Sequence, residues 1–114
     1  MNKIEELKKK RLDAHNKLLS MNSNVYRSFL EMEKATYAEG NLSKKYKELI
    51  AVGISIVINC ESCMQWHIEQ AAKSGATQDE ILESIEVGIE MGGGPATVSS
   101  RFALEVMEEV FKTQ

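Results

Sequence analysis

The sequence predicts an all-α protein, a single-domain bundle of about six helices. Apolar residues recur at intervals of three or four along most of the chain, which is the period of an amphipathic helix. Glycines, capping residues and a single proline, Pro95, separate these stretches as they do at helix ends. The 114 residues, 43% of them hydrophobic, suffice for one core, so we expect one domain over residues 1–114.

Two helices are predicted before residue 41. The first extends from about Lys3 to Leu19, and a polar break over residues 20–24 follows it. The second continues the helical period from Val25 and is expected to end at Gly40, since glycine is the preferred residue just past a helix end. The apolar positions of the pair are Ile4, Leu7, Leu12, Leu18, Leu19, Val25, Phe29 and Met32.

A third helix is predicted to begin after Ser43, whose hydroxyl can cap it. It continues into the apolar run 51–58, which is rich in β-branched residues and resembles a buried strand. We prefer a helix because no partner strand is visible elsewhere. A helix that is apolar on nearly all sides is expected to be buried.

Three further helices complete the prediction. Asn59 is expected to cap a fourth helix that begins at the cysteines and ends at Gly75. The segment Thr77–Glu80 matches a capping box for the fifth, and the Gly92–Pro95 turn closes that helix and starts the sixth. Their predicted core positions are Ile81, Leu82, Ile85, Ile89, Val98, Phe102, Leu104, Val106, Val110 and Phe111.

Charge and hydropathy exclude several classes of function. The net charge of −3 gives no general attraction to nucleic acid or acidic lipid, and the basic run 8–11 is balanced by neighbouring acidic residues. The longest uncharged stretch, 49–60, is well short of the ~20 residues that span a bilayer. With no signal-peptide pattern at the N-terminus, we expect a cytoplasmic protein. In a reducing compartment, a Cys-x-x-Cys pair is more often catalytic or metal-binding than structural.

The chemistry of the chain is concentrated at Cys60, Cys63 and His67, which would share one face of a helix. Helix geometry places Cα atoms three residues apart at roughly 5 Å, inside the ~4.4–6.8 Å window of a disulfide. The positive end of a helix dipole favours a thiolate near the N-terminus. An imidazole four residues after Cys63 can stabilise that thiolate or accept its proton.

Glu48 is a second point of interest, near the start of the apolar third helix. A carboxylate partly buried between two helices needs a partner, and His67 is the obvious candidate. Glu48, His67 and Cys63 would then repeat the acid–base–nucleophile logic of a catalytic triad. Periodicity alone leaves open the simpler interpretation, an exposed glutamate in the first turns of the helix.

Residues 44–96 resemble the carboxymuconolactone decarboxylase-like and alkylhydroperoxidase D-like families. The matching pieces, in order, are Lys47-Glu48-Leu49-Ile50-Ala51, Cys60-x-x-Cys63-x-x-x-His67, Gly75-Ala76-Thr77 and Gly92-Gly93-Gly94-Pro95-Ala96. The resemblance implies an all-helical fold, assembly as a homotrimer or homohexamer, and a motif made of Glu48, Cys60, Cys63 and His67. The peroxidases usually carry histidine directly before the second cysteine, where this chain has Ser62.

Motif and resemblance together predict a thiol-dependent peroxidase, or disulfide oxidoreductase, that reduces hydroperoxides in antioxidant defence. Cys63 is the expected nucleophile and Cys60 its resolving partner, while His67, oriented by Glu48, moves protons. An external dithiol or a disulfide reductase would restore the pair. We expect no cofactor and no metal ion.

Three alternatives stay open at this point. The cysteines and His67 suit zinc as ligands, although zinc sites usually draw on two separated ligand pairs. A decarboxylase-like lyase would want a cation for a substrate carboxylate, such as Arg101, although the decarboxylases generally lack the Cys pair. A non-catalytic oligomeric scaffold or redox sensor would show ordinary thiols and no turnover.

Overall fold

The computed structural model describes residues 1–112, which form six α-helices and contain no strand. The helices are α1 (Lys3–Ser20), α2 (Asn24–Thr36), α3 (Lys44–Val57), α4 (Glu61–Lys73), α5 (Gln78–Gly92) and α6 (Gly94–Lys112). The all-α prediction is confirmed, including the helical form of the apolar run in α3. Over the described residues, no helix has the length and hydropathy of a membrane span.

The chain divides into two compact units, the first covering Met1–Ala38 and the second beginning at Glu39. The prediction of one domain over residues 1–114 stays a prediction. The first unit is the α1–α2 hairpin, in which neither helix has a buried residue. His15 Nδ1 lies 2.5 Å from the Tyr26 hydroxyl and links the two helices.

The end of α2 differs from the prediction, because the helix stops at Thr36 rather than Gly40. The segment after it forms a loop with its own hydrogen bonds. The Gly40 amide donates to the Leu42 carbonyl, and the first amide of α3 donates to the Glu39 carboxylate. The Gly40 amide is thus paired within the loop rather than with a carbonyl of α2.

The second unit packs α3 and α6 each against both α4 and α5. Its core includes predicted positions Ile81, Ile85, Phe102 and Val106. The prediction was wrong for Leu82 and Val98, which are exposed. On α5 the buried residues fall at 81, 85 and 88, so a side chain at 82 points about 100° away from the core. Other core side chains are Val52, Ile56, Met64, Ile68, Ala103 and Met107.

Helices α3 and α5 cross at two glycines. A Cβ atom at Gly88 would lie 2.7 Å from the Gly53 carbonyl oxygen and 2.8 Å from the Ile56 Cβ, closer than such atoms approach in proteins. The crossing is reinforced where the Ser84 hydroxyl donates to the Leu49 carbonyl. Glycine at 88 therefore lets α5 approach the α3 backbone directly.

The outer face of α3 is exposed, so the prediction that this helix is buried on all sides was wrong. Val52 and Ile56 are fully buried, but Ile50 is 51% exposed and Ile54 is 54% exposed. The neighbouring helices of the second unit cover one side of α3 and leave the other open. An apolar cleft of about 690 Å³ lies between this open side and α5, next to Val87.

Candidate active site

The junction between α3 and α4 positions the first cysteine. Asn59 adopts a left-handed backbone conformation (φ 54°), and its amide donates to the Ile56 carbonyl. The Cys60 amide donates to the Ser55 carbonyl. This pair of bonds is the Schellman motif that ends many helices, and asparagine is one of the few side chains tolerated at its left-handed position. Asn59 thus belongs to the end of α3.

The N-cap of α4 is Cys60, which corrects the prediction that Asn59 caps this helix. An N-cap residue needs extended dihedrals, which Cys60 has (φ −104°, ψ 98°) and the left-handed Asn59 does not. The Cys60 Sγ accepts a hydrogen bond of 3.2 Å from the Cys63 amide. Both sulfurs therefore lie at the positive end of the α4 dipole, where negative charge on sulfur is stabilised.

The two cysteines form a disulfide within the first turn of α4. Their Cα atoms are 5.2 Å apart, close to the distance expected from helix geometry. His67 follows Cys63 by four residues on the same helix, so the two side chains are neighbours on one face. Cys60, Cys63 and His67 are all half-buried.

The Glu48 carboxylate is buried and contacts His67 directly. The residue is only 1% exposed, so the interpretation as a surface glutamate is wrong. Its Oε1 lies 2.7 Å from Nδ1 of His67, across the α3–α4 interface. Its Oε2 lies 2.5 Å from the Lys44 ammonium, one turn earlier on α3. Lys44 was missed by sequence reasoning, although its i,i+4 spacing to Glu48 was a usable signal.

The two partners keep Glu48 ionised. Burial raises the pKa of Glu48, but hydrogen bonds and charge from His67 and Lys44 outweigh burial, so its pKa is lowered. An ionised carboxylate only accepts hydrogen bonds, so Nδ1 of His67 carries the proton between them. In a neutral imidazole this leaves Nε2 as the basic nitrogen.

Two of the predicted pairs are therefore in contact. The Glu48 carboxylate on α3 contacts His67 on α4, and Cys60 is bonded to Cys63 at the start of α4. Ser62 is the second residue of α4, and Arg101 is exposed on α6. Within residues 1–112, no group of three or more His, Cys, Asp or Glu side chains is arranged to hold a metal ion.

We expect Glu48→Gln to lower the free energy of unfolding by about 2 kcal/mol at pH 7, because the amide loses the charge-assisted hydrogen bonds that the buried carboxylate makes to His67 and Lys44. The pKa of Glu48 is lower in the folded chain than its ordinary value of 4.5. Its stabilising effect is therefore present above about pH 4.5 and lost as the pH falls below that value. Urea unfolding at pH 7 and pH 3.5 measures the difference. Exposed Glu83→Gln is the control, and a deficit of equal size at both pH values would contradict the prediction.

The chain matches a known protein family over most of its length. Residues 23–106 match the model of the carboxymuconolactone decarboxylase family, and this range includes Glu48, both cysteines and His67. The chain belongs to the carboxymuconolactone decarboxylase family. Uncharacterized protein 4 of the cox locus of Paracoccus denitrificans is 39% identical to it over 83 residues, which is 73% of this chain and 75% of that protein. An uncharacterized protein of Cupriavidus necator is 36% identical over 77 residues, 68% of each chain.

Solved structures of the carboxymuconolactone decarboxylase family share this fold. The crystal structure of a family protein from Legionella pneumophila in its apo form superposes with a TM-score of 0.90 at 30% identity, covering 96% of this chain and 98% of that one. A family protein from Thermotoga maritima, described with a suggested involvement in the antioxidative response, superposes with a TM-score of 0.85 at 26% identity. That match covers 95% of this chain and 92% of the Thermotoga chain.

Proposed function

We propose that this member of the carboxymuconolactone decarboxylase family is a thiol-dependent peroxidase that reduces hydroperoxides through its Cys60–Cys63 pair. One observation carries the proposal: a disulfide lies in the first turn of α4, His67 follows Cys63 by four residues on that helix, and the Glu48 carboxylate contacts His67. The pair supplies two electrons, and the Glu48–His67 pair supplies proton transfer. The involvement in the antioxidative response suggested for the Thermotoga relative supports this proposal.

The cycle begins with the reduced pair. His67 accepts the Cys63 proton at Nε2, and the thiolate attacks the terminal oxygen of the hydroperoxide. The O–O bond breaks, the alkoxide takes the proton back from His67 and leaves as an alcohol, and Cys63 becomes a sulfenic acid. The Cys60 thiol then attacks the Cys63 sulfur, which forms the disulfide and releases one water molecule.

An external dithiol, or the dithiol site of a disulfide reductase, is the proposed electron donor. Its thiolate attacks one sulfur of the pair, a mixed disulfide forms, and the second donor thiol resolves it. If the attack falls on Cys63, Cys60 leaves as a thiolate whose charge is stabilised by the Cys63 amide at the helix cap. We place the cycle in the cytoplasm, where reducing conditions would return the pair to thiols.

Self-assembly as a homotrimer or homohexamer is part of the proposal. The open face of α3 exposes about half of each of its large apolar side chains, a type of surface that isolated monomers usually keep small. We propose that other copies of the chain pack against this face, as the family resemblance implies. Sedimentation equilibrium measures the mass of the assembly and so distinguishes a monomer, a trimer and a hexamer.

A decarboxylase-like lyase and a non-catalytic redox sensor are the competing functions. A lyase would not need sulfur, so its activity would persist after both cysteines become serine. A sensor would change its oxidation state without sustained consumption of hydroperoxide.

The test is a stoichiometric titration of the reduced protein with cumene hydroperoxide. We expect one equivalent of peroxide to remove both free thiols, with cumyl alcohol and the intramolecular disulfide as products. Mass spectrometry and thiol titration measure the disulfide, and dithiothreitol should then sustain repeated turnover. Unchanged thiols after a tenfold excess of peroxide would refute the peroxidase proposal.

A further inference from the structure

A lysine at this site has no role in the cycle described above. Lys44 Nζ lies 2.5 Å from Oε2 of Glu48, while the other carboxylate oxygen contacts His67. The Lys44 side chain is 37% exposed and that of Glu48 is 2% exposed, so the ion pair connects a buried carboxylate to the surface.

We propose that Lys44 is a positioning residue of this site: by keeping Glu48 ionised, it selects the form of His67 that carries its proton on Nδ1 and has Nε2 as the basic nitrogen. The inference rests on the proposed function, since the choice of nitrogen matters to turnover only if His67 serves as a base. Lys44 would act on the reaction through Glu48, without contacting either sulfur atom or the peroxide.

The ionisation state of a carboxyl group decides whether it can donate a hydrogen bond. An ionised Glu48 accepts only, so the nitrogen facing it must carry the hydrogen. A protonated Glu48 can instead donate its O–H to Nδ1, and the imidazole hydrogen then belongs on Nε2, where it blocks proton acceptance. The ionisation state of Glu48 therefore decides which nitrogen of His67 is basic.

Glu48 needs help to stay ionised because burial disfavours its charge. Two groups oppose that effect, His67 on α4 and Lys44 on α3. Each of the two donates a hydrogen bond to the carboxylate and contributes charge that lowers its pKa. Since His67 is itself the residue being oriented, Lys44 is the independent source of positive charge.

The chain offers a matched control beside Lys44. Lys45 is the next residue of α3, is 27% exposed, and pairs with Glu80 of α5 at 3.1 Å. Its replacement removes one positive charge and one ion pair from the same helix turn, but leaves the partners of Glu48 in place. Any general effect of charge or of helix stability should appear equally in a Lys45 variant.

The experiment compares Lys44→Met, Lys44→Arg and Lys45→Met with the unaltered chain. The first readout is the pH profile of kcat/KM for cumene hydroperoxide with dithiothreitol as donor. We expect Lys44→Met to move the acidic limb upward by about one pH unit, which lowers the rate by up to about tenfold at the acidic end of the profile and leaves the plateau above about pH 6.5 near its original height. Lys44→Arg should restore the profile, and Lys45→Met should not shift it.

The second readout needs no turnover. In the oxidised protein, side-chain ¹³C NMR follows ionisation of Glu48, and ring ¹⁵N NMR reports which nitrogen of His67 carries the hydrogen. In Lys44→Met we expect Glu48 to take up its proton at higher pH, accompanied by a shift of the His67 hydrogen from Nδ1 toward Nε2.

Two results would overturn the role of Lys44: an unchanged Glu48 titration in Lys44→Met, or an equal shift of the pH profile in Lys45→Met. Absence of peroxide turnover in the unaltered chain would instead refute the proposed function. The NMR titration would then still decide whether Lys44 controls the ionisation of Glu48 and the hydrogen of His67.

Discussion

Cys63→Ser is expected to lower the steady-state rate of hydroperoxide reduction by more than about a thousandfold. The serine hydroxyl is not ionised near neutral pH and is a far weaker nucleophile than a thiolate, so the O–O bond would no longer be attacked. The change removes one sulfur from the first turn of α4 and leaves the buried core of the second unit intact. Circular dichroism should therefore show unchanged helical content.

Cys60→Ser is the matched variant for that experiment. It retains the proposed nucleophile but has no resolving thiol, so we expect it to consume one equivalent of hydroperoxide and then stop as a sulfenic acid. Dimedone labelling followed by mass spectrometry would place the adduct on Cys63. If the adduct formed in Cys63→Ser instead, the roles of the two cysteines would be reversed.

Gly88→Val is expected to produce the largest loss of stability, about 3 kcal/mol or more. A Cβ at this position meets the α3 backbone at the Gly53 carbonyl oxygen as well as the Ile56 side chain, and backbone gives way less easily than a flexible side chain. The branched valine adds two methyl groups to that clash. Thermal unfolding should show a midpoint lowered by about 10–20 °C.

Gly94→Ala separates the clash from the general effect of replacing a glycine. A Cβ at Gly94 meets nothing within 4 Å, and this first residue of α6 has no positive φ to lose. We expect its unfolding midpoint to stay near that of the unaltered chain. Equal destabilisation by Gly94→Ala and Gly88→Val would show that the α3–α5 crossing has no special requirement at residue 88.

Much of the fold was predictable because local signals and packing agree. Ser43 caps α3, and Thr77 with Glu80 forms the capping box of α5, as their spacing predicts. The open outer face of α3 was not predictable, since an all-round apolar pattern does not say which neighbours cover it. The end of α2 was also missed, because a glycine marks a helix end only approximately and the Gly40 amide pairs instead with the Leu42 carbonyl in the loop.

The arrangement of the candidate residues was predictable in part. The contact between Glu48 and His67 was expected because a buried carboxylate requires a partner and because the family resemblance places both residues in one motif. The cap of α4 was misassigned because Asn59 suits either a helix start or a left-handed helix end, and only the backbone dihedral distinguishes them. Lys44 was not predicted as a partner of Glu48, because one partner, His67, already accounts for a buried carboxylate.

The two cysteines of the disulfide lie close together in the sequence, and this limits how much the disulfide can affect stability. The cross-link joins residues three apart in the chain, so it removes far less chain entropy from the unfolded state than a bond between distant segments would. Opening and closing it therefore changes the folding equilibrium only modestly. In the cycle proposed above, the fold would therefore stay nearly the same in the dithiol and the disulfide forms.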